Sequence, residues 1–417
     1  MQATTDDSGR WREAIYELAA FDRPSASDGE RRAAELIAAR LRELGCEARV
    51  EEERAHGGYW WPIALANSIA AVGGLLALRG KGRLARAAGA LAAGTSAAAL
   101  WDDLGHGSRW FRRRTLPHRA TWNIVAEAGD RRAERTLVLV AHHDAAHSGL
   151  VFHPALGRIG PRLFPEMHER QSHTLPILYG TWLGPVATAL GAALGIRRLA
   201  WAGVTLSAGA ATVMTDIGLR SVVPGANDNL SSVGVLIALA ARLRDRPIKG
   251  LRVLLVSTGS EESFSEGMQA FGERHFSELD RERTEVLCLE VLGGPILIVL
   301  EGEGMLKMRD YPEPMRDALA EAASEAGVPI TRGIRTVAAT DAIIALRAGY
   351  PTVTLASVAE TKLPLNYHWP SDVPDELHWE TIEGAIEVCE AFVRLRSDGQ
   401  LADGSGDRVG VDAGGVQ

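Results

Sequence analysis

The sequence has few cysteines and no excess of basic residues, and both shortages exclude classes of protein. Its three cysteines, Cys46, Cys288 and Cys389, are widely spaced among 417 residues, so they predict neither a disulfide framework nor a CxxC metal site. The formal net charge of −8 argues against a general nucleic-acid binder. The first residues, MQATTDDSGRW, lack the basic start and apolar run of a signal peptide.

The overall composition is that of a folded protein. Hydrophobic residues make up 46% of the chain and charged residues 24%, which allows a substantial buried core. The exception is the Gly/Asp-rich tail at 397–417, which we expect to be disordered.

Charge is also missing from four long stretches inside the chain. Each pair of stretches is separated by a short basic segment, RGKGR in the first pair and Arg197-Arg198 in the second. The pattern predicts two apolar helical hairpins with basic tips, built from residues 60–78 and 84–101 (interrupted only by Arg86) and from residues 175–196 and 199–214.

These hairpins have two interpretations. Two of the four stretches reach the roughly 20 residues that a spanning helix needs, tryptophans lie near their ends, and Ala and Gly suit close packing in a membrane. Basic tips favour the cytoplasmic side. The sequence therefore predicts attachment to a bacterial cell membrane and contact with its lipids, with the side of the remaining protein left open. The alternative is a cytoplasmic protein with an Ala-rich helical cap or an interface between identical subunits.

The rest of the chain alternates short β-branched runs with helical stretches. Four runs read as buried strands, TLVLVA, LRVLLVS, VLCLEV and TVTLAS, and helical patterns lie between them. Such alternation predicts an α/β fold with a mostly parallel central sheet covered on both faces.

Acids and histidines follow these strands closely. His142, Glu261-Glu262, Glu290 and His368 lie at or beyond predicted strand ends, and Asp228 lies in the turn PGANDNLSS before a helix. Ligands of α/β proteins bind at the carboxyl ends of strands, so we expect these side chains to converge.

Taken together, HHD after a strand, GANDN before a helix, EE after a strand, ExxG after the next strand and YH near the C-terminus resemble the co-catalytic zinc aminopeptidases of metallopeptidase family 28. The resemblance covers roughly residues 11–396 apart from the hairpins. It implies a three-layer, phosphorylase/hydrolase-like α/β sandwich over residues 1–396, interrupted by insertions at 59–118 and 150–222.

The resemblance also implies roles for individual residues. It assigns His142 and Glu290 to one zinc ion, Glu262 and His368 to a second, and Asp228 to both. Glu261 becomes the general base that moves a proton from water to the leaving group. Oxygen and imidazole ligands without thiolate suit a catalytic zinc, with Co²⁺ or Mn²⁺ as alternatives.

Some neighbouring residues receive weaker or no roles. Asp144 is expected to accept the second ring N–H of His142, and Asp341 is expected to support the site. We expect the other histidines, namely His143, His147, His153, His168 and His173, to be loop residues without a ligand role.

Two features depart from the family pattern. Glu290 stands where the family usually has Asp, which leaves the identity of one metal ion open. The second hairpin also lengthens the chain between His142 and Asp228, so it begins near the mouth of the site.

The sequence therefore predicts a two-zinc exopeptidase, most simply an aminopeptidase acting on peptides or aminoacyl compounds. One alternative keeps the fold but changes the reaction to that of a glutaminyl cyclase, a carboxypeptidase or an amidase. Another is an inactive membrane receptor or scaffold, which the intact set of Glu261 and metal ligands disfavours.

Overall fold

The centre of the molecule is one nine-stranded sheet, as seen in a computed structural model that describes residues 9–80, 82–176 and 178–397. The strands are β1 (Glu47–Ala55), β2 (Arg119–Gly129), β3 (Thr136–His142), β4 (Arg252–Thr258), β5 (Thr284–Glu290), β6 (Ile296–Glu303), β7 (Arg309–Asp310), β8 (Thr331–Thr336) and β9 (Thr352–Val358). The helices are α1 (Arg10–Ala19), α2 (Asp28–Glu43), α3 (Trp60–Arg79), α4 (Arg83–Leu104), α5 (Trp110–Thr115), α6 (Pro154–Gly157), α7 (Ile159–Leu163), α8 (Pro165–Arg170), α9 (Tyr179–Leu194), α10 (Arg197–Leu219), α11 (Ser231–Asp245), α12 (Glu266–His275), α13 (Glu313–Glu325), α14 (Ala342–Arg347) and α15 (Trp379–Ser397).

The sheet runs in the order β1-β2-β4-β3-β5-β9-β6-β7, with β8 also paired to β6. The central strands β4, β3, β5 and β9 are parallel, and antiparallel pairs lie at both margins. All seven residues of β3 and of β9 are buried, as expected for strands covered on both faces. Separate hydrophobic clusters lie on the two faces. The predicted α/β fold with a parallel centre is confirmed.

The four predicted strands agree with β3, β4, β5 and β9 to within two residues. The predicted hairpin helices agree less closely, because α9 begins at Tyr179, four residues after the predicted stretch, and α10 ends at Leu219, five residues beyond it. Ser27 caps the start of α2, because its hydroxyl accepts from the Glu30 N–H, while the Glu30 carboxylate accepts from the Ala26 N–H. Strands β2 and β6 to β8 were not among the predicted strands, although β6 contains an apolar run, ILIVL, of the same type. Of the predicted disordered tail, Ser397 is the last residue of α15, and residues 398–417 lie outside the described part of the chain.

The four apolar stretches form helices α3, α4, α9 and α10, which pack together as one four-helix bundle, called the bundle below. Small residues allow close approach between its helices. A Cβ added at Gly203 would collide with the backbone of Thr188, and one at Gly74 would collide with the Thr188 and Val204 side chains. This close packing agrees with the Ala- and Gly-rich composition.

The two ends of the bundle differ in chemistry. At one end, Arg86 donates to the carbonyls of Ala192 and Ala193 at 3.1 and 3.0 Å, and Arg197 donates to Leu78 at 3.0 Å. The two basic tips therefore meet. At the end near the sheet, the Trp101 and Trp182 rings lie 5.2 Å apart.

The bundle exposes apolar side chains over its outer surface. Among the described residues, every exposed large hydrophobic side chain except Tyr16 lies between Trp61 and Leu219. Two helices, α3 and α10, are long and apolar enough to cross a membrane. A surface of this kind marks an interface with a protein or a lipid phase.

A buried carboxylate, that of Glu266 at the start of α12, joins the bundle to the sheet. It accepts from the backbone N–H groups of His56 and Gly57 at 3.0 and 2.9 Å, directly before α3. The guanidinium groups of Arg109 and Arg112, which follow α4, lie 3.8 Å from it. Glu266 thus holds both ends of the first hairpin.

Replacing Glu266 with Ala should lower the free energy of unfolding by about 3 to 5 kcal/mol, because two buried guanidinium groups lose a counter-charge. Burial opposes ionisation of Glu266, but His56 and the two arginines lower its pKa well below 4.5. Its stabilising contribution is therefore present above pH 4.5 and is lost as the pH falls below that value.

The measurement is denaturant unfolding at pH 7 and at pH 4, compared with Glu273→Ala on the exposed face of the same helix. The control should change stability by less than about 0.5 kcal/mol. Equal effects of the two substitutions would contradict the anchoring role of Glu266.

Candidate active site

Four adjacent parallel strands bring the predicted site residues to one edge of the sheet. His142 ends β3, Glu290 ends β5, and Glu261-Glu262 follow β4 by three residues. His368 lies in the loop after β9. Asp228 reaches the same place from the irregular turn before α11, where the Asp228–Asn229 peptide bond is cis.

Asp228 lies between the two histidines. Its Oδ1 is 3.2 Å from His142 Nε2, and its Oδ2 is 3.3 Å from His368 Nε2. Glu290 Oε1 lies 3.4 Å from the first imidazole, and Glu262 Oε2 lies 3.1 Å from the second. The structure thus contains two groups of potential ligand atoms that share Asp228, and these are the two groups that the sequence analysis assigned.

These residue types and positions fit divalent metal ions. His142 Nε2 and Glu262 Oε1 are buried polar atoms without a hydrogen bond among the described residues, and both belong to the potential ligand groups. Carboxylate and imidazole ligands without thiolate are those of catalytic zinc sites.

Without metal, the site is strained electrostatically. Burial disfavours charge on His368, yet the Glu262 and Asp228 carboxylates raise its pKa to about 10. Burial also raises the pKa of Glu290 to about 7, against the opposing effect of His142. His368 thus holds a proton at neutral pH in the metal-free protein. Metal binding is therefore expected to release protons.

Glu261 lies beside the two groups that share Asp228, with its Oε2 3.8 Å from His142 Nε2, and it forms a third potential ligand group with His142 and Glu262. Burial raises its pKa well above 4.5, and the neighbouring Glu290 and Asp341 carboxylates add to this rise. A carboxyl group with a raised pKa at the edge of a metal site can accept and return a proton near neutral pH.

Asp144 lies beside His142, as expected, but the shortest contacts of its carboxylate are with other groups. Its Oδ1 is 3.4 Å from His142 Nδ1, but that ring nitrogen lies closer, at 3.2 Å, to the Asp144 carbonyl oxygen. The Asp144 carboxylate instead accepts from the backbone N–H groups of Glu261 and Glu262 at 3.0 and 3.2 Å, and from Ser25 Oγ at 2.6 Å. Asp144 therefore holds the backbone of the Glu261-Glu262 pair.

Asp372 holds the backbone at Asp228 in the same way as Asp144 holds the Glu261-Glu262 pair. The sequence analysis gave Asp372 no role. Its carboxylate accepts from the N–H groups of Asn227 and Asp228 at 2.6 and 3.1 Å. Asn229 then connects this turn to β5, because its side chain donates to the Leu289 carbonyl at 3.0 Å and accepts from Val291 N–H at 2.9 Å. An acid four residues after His368 was the available signal for Asp372.

Arg23 was also missed. It is fully buried and donates to the carbonyl oxygens of His143, Pro224 and Gly225 at 2.8, 2.5 and 2.8 Å. It thereby joins the segment after β3 to the turn of Asp228. In the sequence it is one arginine in a loop, and no local pattern distinguishes it.

The backbone around the site adopts unusual conformations. Positive φ angles occur at six non-glycine residues that belong to or adjoin the site segments, namely Ser260, Phe264, Ser265, Val291, Asn366 and His368. Such conformations concentrate at functional sites, where surrounding contacts hold them in place.

Asp341 and the extra histidines lie outside both ligand groups. Asp341 accepts a hydrogen bond from the Thr258 hydroxyl at the end of β4. His143 is buried beside Ser257, and burial lowers its pKa to about 3. None of His143, His147, His153, His168 and His173 belongs to a potential metal group among the described residues.

Residues 210–393 match the model of peptidase family M28. This region of the chain is therefore similar in sequence to the peptidases of family M28. The match includes Asp228, Glu261, Glu262, Glu290 and His368, and it begins after His142. The predicted family and the predicted enzyme class, a metallopeptidase, are confirmed. A comparison with curated proteins finds no match.

Solved structures with this fold include an aminopeptidase from Aneurinibacillus sp. strain AM-1 (12% identity, 94% of each chain covered, TM-score 0.54). A zinc aminopeptidase from Bacillus subtilis is similar (13% identity, 94% of this chain and 95% of that chain, TM-score 0.53). So is a glutaminyl cyclase from Fimbriiglobus ruber (12% identity, 95% and 97%, TM-score 0.54). At these identities the likeness concerns the fold alone.

Replacing Asp144 with Asn should weaken zinc binding by about 10- to 100-fold, because one of its two oxygens no longer accepts from the Glu261-Glu262 backbone. Zinc titration of dialysed protein against a chromophoric chelator measures the change.

Asp130→Asn is the matched control, since Asp130 also accepts from two backbone N–H groups, of Arg132 and Gly250, far from the site. Zinc affinity should be unchanged in this variant. An unchanged affinity in Asp144→Asn would refute the assigned role.

Proposed function

We propose that this protein is a two-zinc aminopeptidase attached to a membrane through the bundle. The observation that carries the proposal is the position of Asp228, whose two oxygens face His142 and His368 at 3.2 and 3.3 Å. Each histidine has a second carboxylate partner, so either side of Asp228 offers three ligands.

In this proposal, His142, Asp228 and Glu290 hold one ion, and Asp228, Glu262 and His368 hold the other. When bound, the ions supply Lewis acidity and lower the pKa of a water molecule. Glu261 accepts the proton of the attacking water and returns it to the leaving amine. Asp144 keeps Glu261 in reach by holding its backbone N–H.

The cavity in front of the site favours an aminopeptidase over a carboxypeptidase. Among the described residues that line it, the only lysine or arginine is Lys362. Its ammonium already donates to the carbonyls of His168, Glu169 and Gln171 at 2.7, 3.0 and 2.7 Å. A substrate's terminal carboxylate would therefore find no unpaired lysine or arginine side chain among these lining residues.

A glutaminyl-cyclase-like or amidase activity remains the second candidate, because the same fold occurs in a glutaminyl cyclase. The product distinguishes cyclisation from hydrolysis. Peptides that begin with Gln and peptides that begin with Leu are therefore assayed in parallel. Release of the first residue from both supports an aminopeptidase. Formation of pyroglutamate alone supports a cyclase.

Replacing Glu261 with Gln should lower kcat by about 10²- to 10⁴-fold while the bound zinc is retained, because the amide cannot accept a proton. Hydrolysis of a leucyl peptide and zinc content by mass spectrometry are measured together. Glu262→Gln is the comparison, and it should lose zinc as well as activity. Hydrolysis by Glu261→Gln at the wild-type rate would refute the mechanism.

The case for membrane attachment comes from the surface of the bundle. Residues 199–215 of α10 carry no charge, which corresponds to about 25 Å of helix. That length is near the lower limit for a spanning segment. Exposed apolar side chains surround this band, and basic residues lie at its far end.

Replacing Val72 with Lys should therefore reduce the fraction of protein that resists a carbonate wash. Val72 is 66% exposed near the middle of α3, where a lysine in a bilayer costs about 2.5 to 3.5 kcal/mol. Leu84→Lys, at the basic tip, is the control and should stay in the membrane fraction. Release of the wild-type protein by carbonate would instead support a soluble helical cap.

A further inference from the structure

The cavity that contains the site extends into the bundle. It has a volume of about 420 Å³, which lies within the usual range for ligand pockets. Glu261, Asp228 and His368 line one end of it, and Val213, Met214 and Ile217 of α10 line another part. The second hairpin thus forms a wall of the substrate site.

Most of the lining away from the metal ligands is apolar. The sheet domain contributes Ile298, Leu300 and Met305. The segment after β3 contributes Val151 and Phe152, and the Phe152 ring lies 4.6 Å from the His368 ring. A wall of this composition binds aliphatic groups and offers little to a polar peptide.

The cavity also opens through the outer surface of the bundle. Leu206 and Leu175 line the cavity and are nevertheless 46% and 49% exposed. Gly209, on the next turn of α10 after Leu206, lines it as well, and a Cβ added there meets no atom within 4 Å. The opening thus lies on the apolar surface that we assign to the bilayer.

A segment that contacts the cavity lining has an interfacial character. Lys362 of the lining donates to the His168 carbonyl of this segment, residues 154–170, at 2.7 Å. The segment exposes Leu156, Leu163 and Phe164, and it carries three arginines and two glutamates. Mixed apolar and charged surfaces of this kind lie at the boundary between headgroups and acyl chains.

We infer that the substrate is an amphiphile, an amide whose carbonyl side carries a long aliphatic chain, and that this chain enters the cavity sideways from the lipid phase. The inference rests on the proposed function, because an aminopeptidase attacks the carbonyl of the first residue. The chain would then be the side chain of that residue. A fatty acyl amide without an amino group presents the same chain and carbonyl.

The test uses two series of amides with one leaving group and chains of one to ten carbons, the first with an α-amino group and the second without it. For the purified full-length protein, kcat/KM should rise about three- to fourfold for each methylene added, until the cavity is filled. The series with the higher rates identifies the source of the chain. A kcat/KM that is constant or falls with chain length in both series would overturn the inference.

Gly209→Phe should reduce the ratio of kcat/KM for the longest and shortest chains at least tenfold, because the ring obstructs the opening. Gly94→Phe is the matched control, since Gly94 lies in the middle of α4, has open space around its Cα and does not line the cavity. That variant should keep the wild-type ratio. An unchanged ratio in Gly209→Phe would count against the sideways entry.

A binding experiment separates this inference from the proposed reaction. A ten-carbon amide with a diazirine at the end of its chain is photolysed with metal-free Glu261→Gln, which cannot hydrolyse it. Labels should map to the cavity-lining residues of α10 and decrease in Gly209→Phe. Labelling of the cavity without hydrolysis in the wild type would refute the aminopeptidase and keep the chain site. Labels confined to the outer surface would overturn the chain site.

Discussion

The burial of several carboxylates at one edge of the sheet is the constraint on which the site depends. Asp228, Glu261, Glu262 and Glu290 face the same space, and among the described residues two imidazoles, those of His142 and His368, lie in the potential ligand groups with them. Buried charges of one sign are unstable unless cations or hydrogen-bond donors compensate them. Bound divalent ions would compensate them directly, and the surrounding backbone N–H groups are held in position by two further acids, Asp144 and Asp372.

Strands and helices with a regular pattern of hydrophobic residues were predictable from the sequence. Buried strands such as β3 and amphipathic helices such as α2 carry their burial pattern locally, and the acids after strands follow the geometry of parallel sheets. The role of Arg23 was not predictable, because the carbonyl groups of His143, Pro224 and Gly225 that it joins lie more than 100 residues away. For Asp372 the available signal was its position four residues after His368. The position of Asp144 was predicted, but its carboxylate holds the Glu261-Glu262 backbone more closely than it holds the His142 ring.

The bundle adds a wall to the cavity that contains the site. Its hairpins were recognisable as uncharged stretches, but the sequence did not indicate that they pack together or that α10 lines the cavity. Which residues of a hairpin face a cavity depends on how the helices rotate against each other, and small residues such as Gly74 and Gly203 specify this only weakly. The Glu266 carboxylate then determines how the bundle meets the sheet.

The order of the strands has a consequence for biosynthesis. Strand β3, which ends in His142, pairs with β4 and β5, and both follow the second hairpin in the chain. During translation β3 therefore has no neighbouring strand to pair with until the chain beyond α9 and α10 has been synthesised. The potential metal ligands on either side of Asp228 come together only after that point. A ribosome-bound chain that ends before β4 would contain His142 and the whole bundle, but no site.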